Sequence, residues 1–304
     1  MKYIITDKPH YRRPDLHQIQ AVRDIPFSSR LRGAAIRAEE FVRAGDLGGY
    51  VSSEGNLAQD GIAWIYDEAQ VYDEAHVSDS ARVFGDARVY NKARVCDEAR
   101  VYESARVGGE AKVYQSAKIS GYGSVYDSVK VSGSAKVFGS ANVFGYATLY
   151  HSARIYGYAQ VHGNSRVYGS AEVYGHARVN GSTEIQDNAK VFGKSGVTGE
   201  AWVREAAHLQ GGVVSGRTVL AGLTVIDSTR DYLCLGPMGP NGLYYTITGD
   251  GYVFTGQRRR EDRFSGTIEE FETHVDNAPR NNEFSRQFQA MLALARTWPF
   301  PVKT

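Results

Sequence analysis

The 304 residues carry 35 Lys and Arg against 34 Asp and Glu, a formal charge of +1, with 33 Gly, 8 Pro and 2 Cys. That balance excludes a global electrostatic pull toward nucleic acid or acidic membranes, so a charged partner has to be met by a local patch. Cys96 and Cys234 make neither a disulfide framework nor a zinc spacing, which predicts structural thiols in a reducing compartment.

The opening "MKYIITDKPHYRRPDL" has no apolar signal core, and the chain has no long apolar run, so a soluble, cytoplasmic protein with no membrane partner is predicted. Residues 1–62 read as a lead-in and cap. The stretch "LRGAAIRAEEFVRAGDLGGYVSSEGNLAQDG" mixes strand-like pieces with Gly-rich turns, and Leu57 is two residues out of phase with the six-residue period that starts at Ile65. An irregular first coil covering an open edge is the expectation.

From Ile65 an aliphatic residue recurs every six residues through Val71, Val77 and Val83 to Leu209, 25 times without a slip. Two residues before each stands a small residue, Ala in 20 of the 25, with Gly123, Val129, Ser165, Thr183 and Ser195 as the exceptions. Two residues after stands a turn former, most often Gly or Asp. A helix would smear a period of six around its circumference. A short strand instead puts Ala and Val on one side, and Arg or Lys with the following Tyr or Phe on the other. One unit cannot bury its own Val, so the units must stack as a solenoid.

The residue after each aliphatic position shows how many units make a coil. Read every 18 residues, one row runs Tyr66, Phe84, Tyr102, Ser120, Phe138, Tyr156, Tyr174, Phe192, seven aromatic of eight. The other two rows are mixed, for example Tyr72, Tyr90, Gly108, Tyr126, Phe144, His162 and Ser78, Cys96, Tyr114, Ser132, Tyr150, Tyr168. Three hexapeptides per coil predict an all-β solenoid, a three-sided parallel β-helix over residues 63–210.

These repeats resemble those of the hexapeptide-repeat proteins, whose left-handed parallel β-helix carries an aliphatic residue with a small residue four positions on. The left hand is implied by that resemblance alone. General crossover rules favour the right hand, so a right-handed, bactofilin-like polymer former is the structural alternative. The lead-in together with "GIAWIYDEAQVYDEAHV" resembles the opening of phage, prophage and enterobacterial proteins of the YdcK type, commonly labelled acyltransferases.

The resemblance implies an acyl-CoA such as acetyl-CoA held along a groove between neighbouring prisms, with a His as general base; a non-enzymatic chain would need no cofactor. His151, His162 and His176 are the candidates, with His76 and His208 less central. Two departures weaken that reading: no loop interrupts the repeat, and the slot after the aliphatic residue is mostly aromatic where those enzymes carry small or acidic residues.

After Leu209 the period fails. Residues 211–227 read as a transition and 228–304 as a small α/β domain. "DYLCLGPMGPNGLYYTITGDGYVFTGQ" reads as strands joined by turns. Thr267 with Glu270 forms a capping box opening a helix. A second helix is predicted from Asn282 to Thr297, with Phe284, Phe288, Met291, Leu292 and Ala295 on one stripe. "QRRREDR", residues 257–263, reads as a solvated charge run. The phrases "CLGPMG" and "FSGTIEEFE" resemble the tail of phage-encoded repeat proteins.

The unlike face is the strongest functional clue. Beside its aromatic row runs a second outward row, Trp64, Arg82, Arg100, Lys118, Lys136, Arg154, Glu172, Lys190, which sets six cations beside seven rings. Such a wall suits a homotrimer interface, or the capture of a host protein or an anionic small molecule. It also suits single-stranded nucleic acid. Nucleic acid is the least favoured, because acidic bend residues (Asp67, Glu68, Asp86, Asp97, Glu98 and Glu103) offset the cations. The rings could equally do no more than stabilise adjacent strands. No Walker loop, dinucleotide fingerprint, zinc cluster or nucleophile elbow occurs, and no metal site is expected. The reading is a non-catalytic binding scaffold of phage or prophage type, with the acyltransferase and the polymer former as alternatives.

Overall fold

The computed structural model describes residues 1–26, 41–239, 241–256, 264–277 and 282–300. The charge run 257–263 lies outside the described residues. The chain divides into two compact units, Met1–His162 and Gly163–Thr304.

In the first unit the repeat folds as its period demands. Each hexapeptide contributes a two-residue strand such as Arg100–Val101, and each strand pairs in parallel with the one 18 residues on. Three sheets result, with strands such as Arg88–Val89, Arg94–Val95 and Arg100–Val101 on successive faces. The small and aliphatic positions of the repeat are buried throughout, including Ala99, Val101, Ala117 and Ile119. The bends are made in the left-handed region. Asp67, Asp73, Asp97 and Gln115 have φ of 52°, 57°, 57° and 57°, and Gly at the same slot has similar values. That conformation suits Gly, Asn and Asp, which explains the turn former two residues after each aliphatic position.

The lead-in continues one of these sheets. Tyr3–His10 and Arg13–Ala21 form an antiparallel hairpin, Arg13–Ala21 pairs antiparallel with Leu47–Val51, and Leu47–Val51 pairs in parallel with Gln70–Val71. Leu57 bridges to Val77. Val51, Leu57 and Ile65 therefore form the first coil, and its two extra residues fall between Leu57 and Ile65. Lys2 and Tyr3 are buried beneath it. The Lys2 ammonium donates to the carbonyls of Ala63 (2.9 Å) and Asp60 (3.2 Å), and the Tyr3 hydroxyl to those of Leu57 (2.8 Å) and Glu54 (3.0 Å).

In the second unit the same strands recur, and the repeat runs past the predicted limit of residue 210. Val213–Val214, Val219–Leu220 and Val225–Ile226 pair in parallel with Gly196–Val197, Trp202–Val203 and His208–Leu209. The offset is 17 residues here instead of 18, because Leu209 and Val214 are five apart. One residue is missing at the bend around Gly211 and Gly212. A strict count of six therefore loses Val214, Leu220 and Ile226, and the predicted transition is one more coil.

Beyond it, Tyr232–Met238, Leu243–Thr248, Tyr252–Gly256 and Ser265–Thr267 form an antiparallel sheet in chain order. Helices α1 (Ile268–Asn277) and α2 (Asn282–Thr297) follow. Leu243, Tyr245, Ile247, Val253, Phe271, Met291, Leu292 and Ala295 make the core between sheet and helices. Phe254 packs on Val219 and Ala221, and the Val219 amide donates to Thr246 Oγ1 at 2.9 Å, so this sheet covers the last coil. The predicted capping box is present: Glu270 N donates to Thr267 Oγ1 (3.2 Å) and Thr267 N to Glu270 Oε2 (2.8 Å).

Candidate functional site: an aromatic and basic wall

In the first unit Trp64, Arg82, Arg100, Lys118, Lys136 and Arg154 stand in register on adjacent strands of one sheet. One step beyond the aliphatic residue comes the ring column. Rings in consecutive coils are brought together at the strand spacing, so they stack. Phe84 and Tyr102 lie 4.8 Å apart at 4°, and Phe138 and Tyr156 lie 4.8 Å apart at 6°. Tyr66 meets Phe84 edge-on at 6.5 Å, and burial pushes its phenol pKa up. The Arg154 guanidinium sits 5.7 Å and 5.6 Å from the Phe138 and Tyr156 ring centres, a cation held on two rings. In the second unit Tyr174 and Phe192 stack at 5.0 Å, with Lys190 one strand from Glu172.

Between Phe84–Tyr102 and Phe138–Tyr156 the ring column breaks at Ser120. The gap is a cavity of about 250 Å³ lined by Tyr102, Lys118, Ser120, Lys136, Phe138 and Arg154. The other two ring rows have similar single gaps, and both are closed. The Tyr90 ring lies over Gly108 so tightly that a Cβ there would sit 2.4 Å from its Cζ. Ser132, between Tyr114 and Tyr150, is only 6% exposed. Of these three breaks, the one at Ser120 stays open.

Its two lysines have like charges as strand neighbours. Among the described residues Lys118 and Lys136 form no ion pair. Burial, then the charges of Arg100 and Lys136, lower the Lys118 pKa from its ordinary value. Several acids that the sequence sets against the cations are held by the backbone. Asp67 accepts from the Gly85 amide (3.0 Å), Asp97 from that of Gln115 (2.8 Å), and Glu103 from that of Gly121. Glu98 accepts from the Ser116 hydroxyl at 3.4 Å. These bonds fix where the carboxylates point, toward the bend of the next coil.

The three candidate catalytic histidines are not gathered into this cavity. His151 is an exposed bend residue with φ 57°, its ring edge-on to Tyr150 at 4.9 Å. His162 is half-buried and stacks on Phe144 at 4.5 Å, and desolvation lowers its pKa. His176 is an exposed bend residue of the second unit.

Sequence reasoning passed over His10, in the hairpin rather than the repeat. It is buried beside a cavity of about 370 Å³ lined also by Arg12, Glu68, Arg88, Arg106 and Tyr122. Its Nδ1 accepts from the amides of Arg12 (3.2 Å) and Arg13 (3.1 Å). Its Nε2 lies 3.2 Å from Gln70 Nε2 and 3.6 Å from a Glu68 carboxylate oxygen. This arrangement braces the hairpin turn; the signal was the "HYRR" phrase between two strand-like runs.

Asp79, Cys96 and Asp97 place ligand atoms within 4.8 Å of one another. Both carboxylates accept from amides of the next coil, and burial raises the Cys96 pKa. Both cysteines are free. No helix among the described residues is long and apolar enough to cross a membrane.

Three sheets of two-residue strands at an 18-residue offset define a parallel β-helix repeat protein. Residues 81–96 and 93–109 match the family model described as the YdcK Beta solenoid repeat, and the chain is a β-solenoid built on that type of repeat. The curated proteins give no match.

Proposed function

We propose that the chain is a non-catalytic binding scaffold, of the kind carried by phages and prophages, that presents its aromatic and basic wall to an anionic partner. The observation that carries this reading is the open, cation-lined break at Ser120 between two stacked ring pairs. Rings and guanidinium groups are favoured anchors at protein surfaces that bind partners. A homotrimer in a reducing, cytoplasmic setting is part of the reading, and a host protein belongs to the class of partner such a wall suits. Acyl transfer has no comparable observation in its favour: His151 and His176 are exposed bend residues, and His162 packs on a ring.

Replacing Tyr102, Phe138 and Tyr156 together by Ser tests the proposal, read by sedimentation, by partner capture from cell extract and by thermal melting. The variant should melt as a folded solenoid and lose capture or assembly. Unchanged sedimentation and unchanged capture would remove the wall from the function.

A further inference from the structure

We propose that the break at Ser120 is a binding site for a small planar aromatic anion, whose ring completes the stack between Tyr102 and Phe138 and whose charge meets Lys118, Lys136 and Arg154. The inference rests on the reading of this wall as a binding surface and goes further by naming the ligand class.

Three observations converge. The first is spacing. Rings on either side stack at 4.8 Å, and Tyr102 and Phe138 are two coils apart, or about 9.6 Å at a typical strand separation. A flat ring midway would lie about 4.8 Å from each, the separation the neighbouring pairs already adopt. The second is size. A volume of about 250 Å³ is just under that of sites for drug-sized ligands, which suits one ring system with a charged group and not an extended acyl-CoA.

The third is charge. Arg100, Lys118 and Lys136 stand in register on adjacent strands, where like charges repel. An anion at Ser120 would relieve that repulsion. Closure of the breaks at Gly108 and Ser132 shows that a missing ring does not by itself leave a cavity in this fold.

The test uses the full chain and two probes titrated by calorimetry, naphthalene-2-sulfonate and adenosine 5′-monophosphate. Adenosine supplies a ring without charge, and inorganic phosphate a charge without a ring. Ser120→Tyr fills the break with a ring that seven of the eight positions in the row already carry, so folding is secure. Ser120→Ala leaves the break open.

Wild type and Ser120→Ala should bind at least one ring-bearing anion alike, and more tightly than adenosine or phosphate. Ser120→Tyr should weaken binding at least about tenfold while melting no lower, since stacking on rings carries much of such affinity. Lys118→Gln with Lys136→Gln should weaken it similarly. Binding of both anions would place recognition in the ring and charge; binding of the nucleotide alone would add the ribose phosphate. Equal binding by Ser120→Tyr, or no binding of either anion by wild type, overturns the inference. If the triple Ser variant still loses capture in that case, the wall remains a binding surface and only the site at Ser120 fails. If capture is also unchanged, both readings fall.

Discussion

At an Asp bend such as Asp97, one residue serves two coils. A left-handed conformation costs an ordinary L-residue about 1–2 kcal/mol. The carboxylate offsets part of that by accepting from the bend amide of the next coil, as Asp67, Asp73, Asp97 and Asp127 all do. Acidic bends therefore have a structural role in addition to their charge. Lys2 is the opposite case, a cation buried under the first coil with two carbonyls as partners. Burial, helped by Arg23 and opposed by Asp60, holds its pKa down to about 8. Below that pH the ammonium is charged in both folded and unfolded chains, and its desolvation counts fully against folding. Between about 8 and the unfolded value near 10.4, the unfolded chain holds a proton that the folded one has released, so stability gains with rising pH. Lys2→Met should abolish that gain. The difference in melting temperature between wild type and Lys2→Met should move in favour of wild type from pH 7.5 to 9.5, and a constant difference would contradict the buried ammonium.

A two-residue strand has no stability of its own, and each coil stands on the Ala and Val it buries against its neighbours. Val137 is fully buried while Lys136 beside it is exposed. Val137→Asp puts an unpaired carboxylate in the core and should cost more than about 4 kcal/mol, ending soluble expression. Lys136→Ala should stay within about 0.5 kcal/mol. Equal yield and melting of the two would refute the inward placement of Val137.

Elements of this kind were legible because packing repeats the sequence. Period, face and offset all follow from Ala and Val recurring at six and 18. The helix Asn282–Thr297 was legible from its apolar stripe, and the capping box from Thr267 and Glu270. What stayed hidden turns on single residues. One missing residue at Gly211–Gly212 put Val214, Leu220 and Ile226 out of phase. The antiparallel pairing of Arg13–Ala21 with Leu47–Val51 joins segments with no shared period.

For the whole chain, the sequence shows which rows are aromatic and which are basic, but not where they are open. Gly108, Ser120 and Ser132 look alike as single gaps, and only the lean of Tyr90 and the burial of Ser132 set Ser120 apart. Likewise the cations were visible, but not that Asp67, Asp97 and Glu103 are tied to backbone amides. Both depend on side-chain direction, which periodicity does not encode. The central claim is that the wall holds an anionic partner. Native mass spectrometry of the protein as purified from cells, before any ligand is added, tests it most directly. The account predicts a trimer carrying a bound anion or protein; an empty species that takes up acetyl-CoA on addition would contradict it.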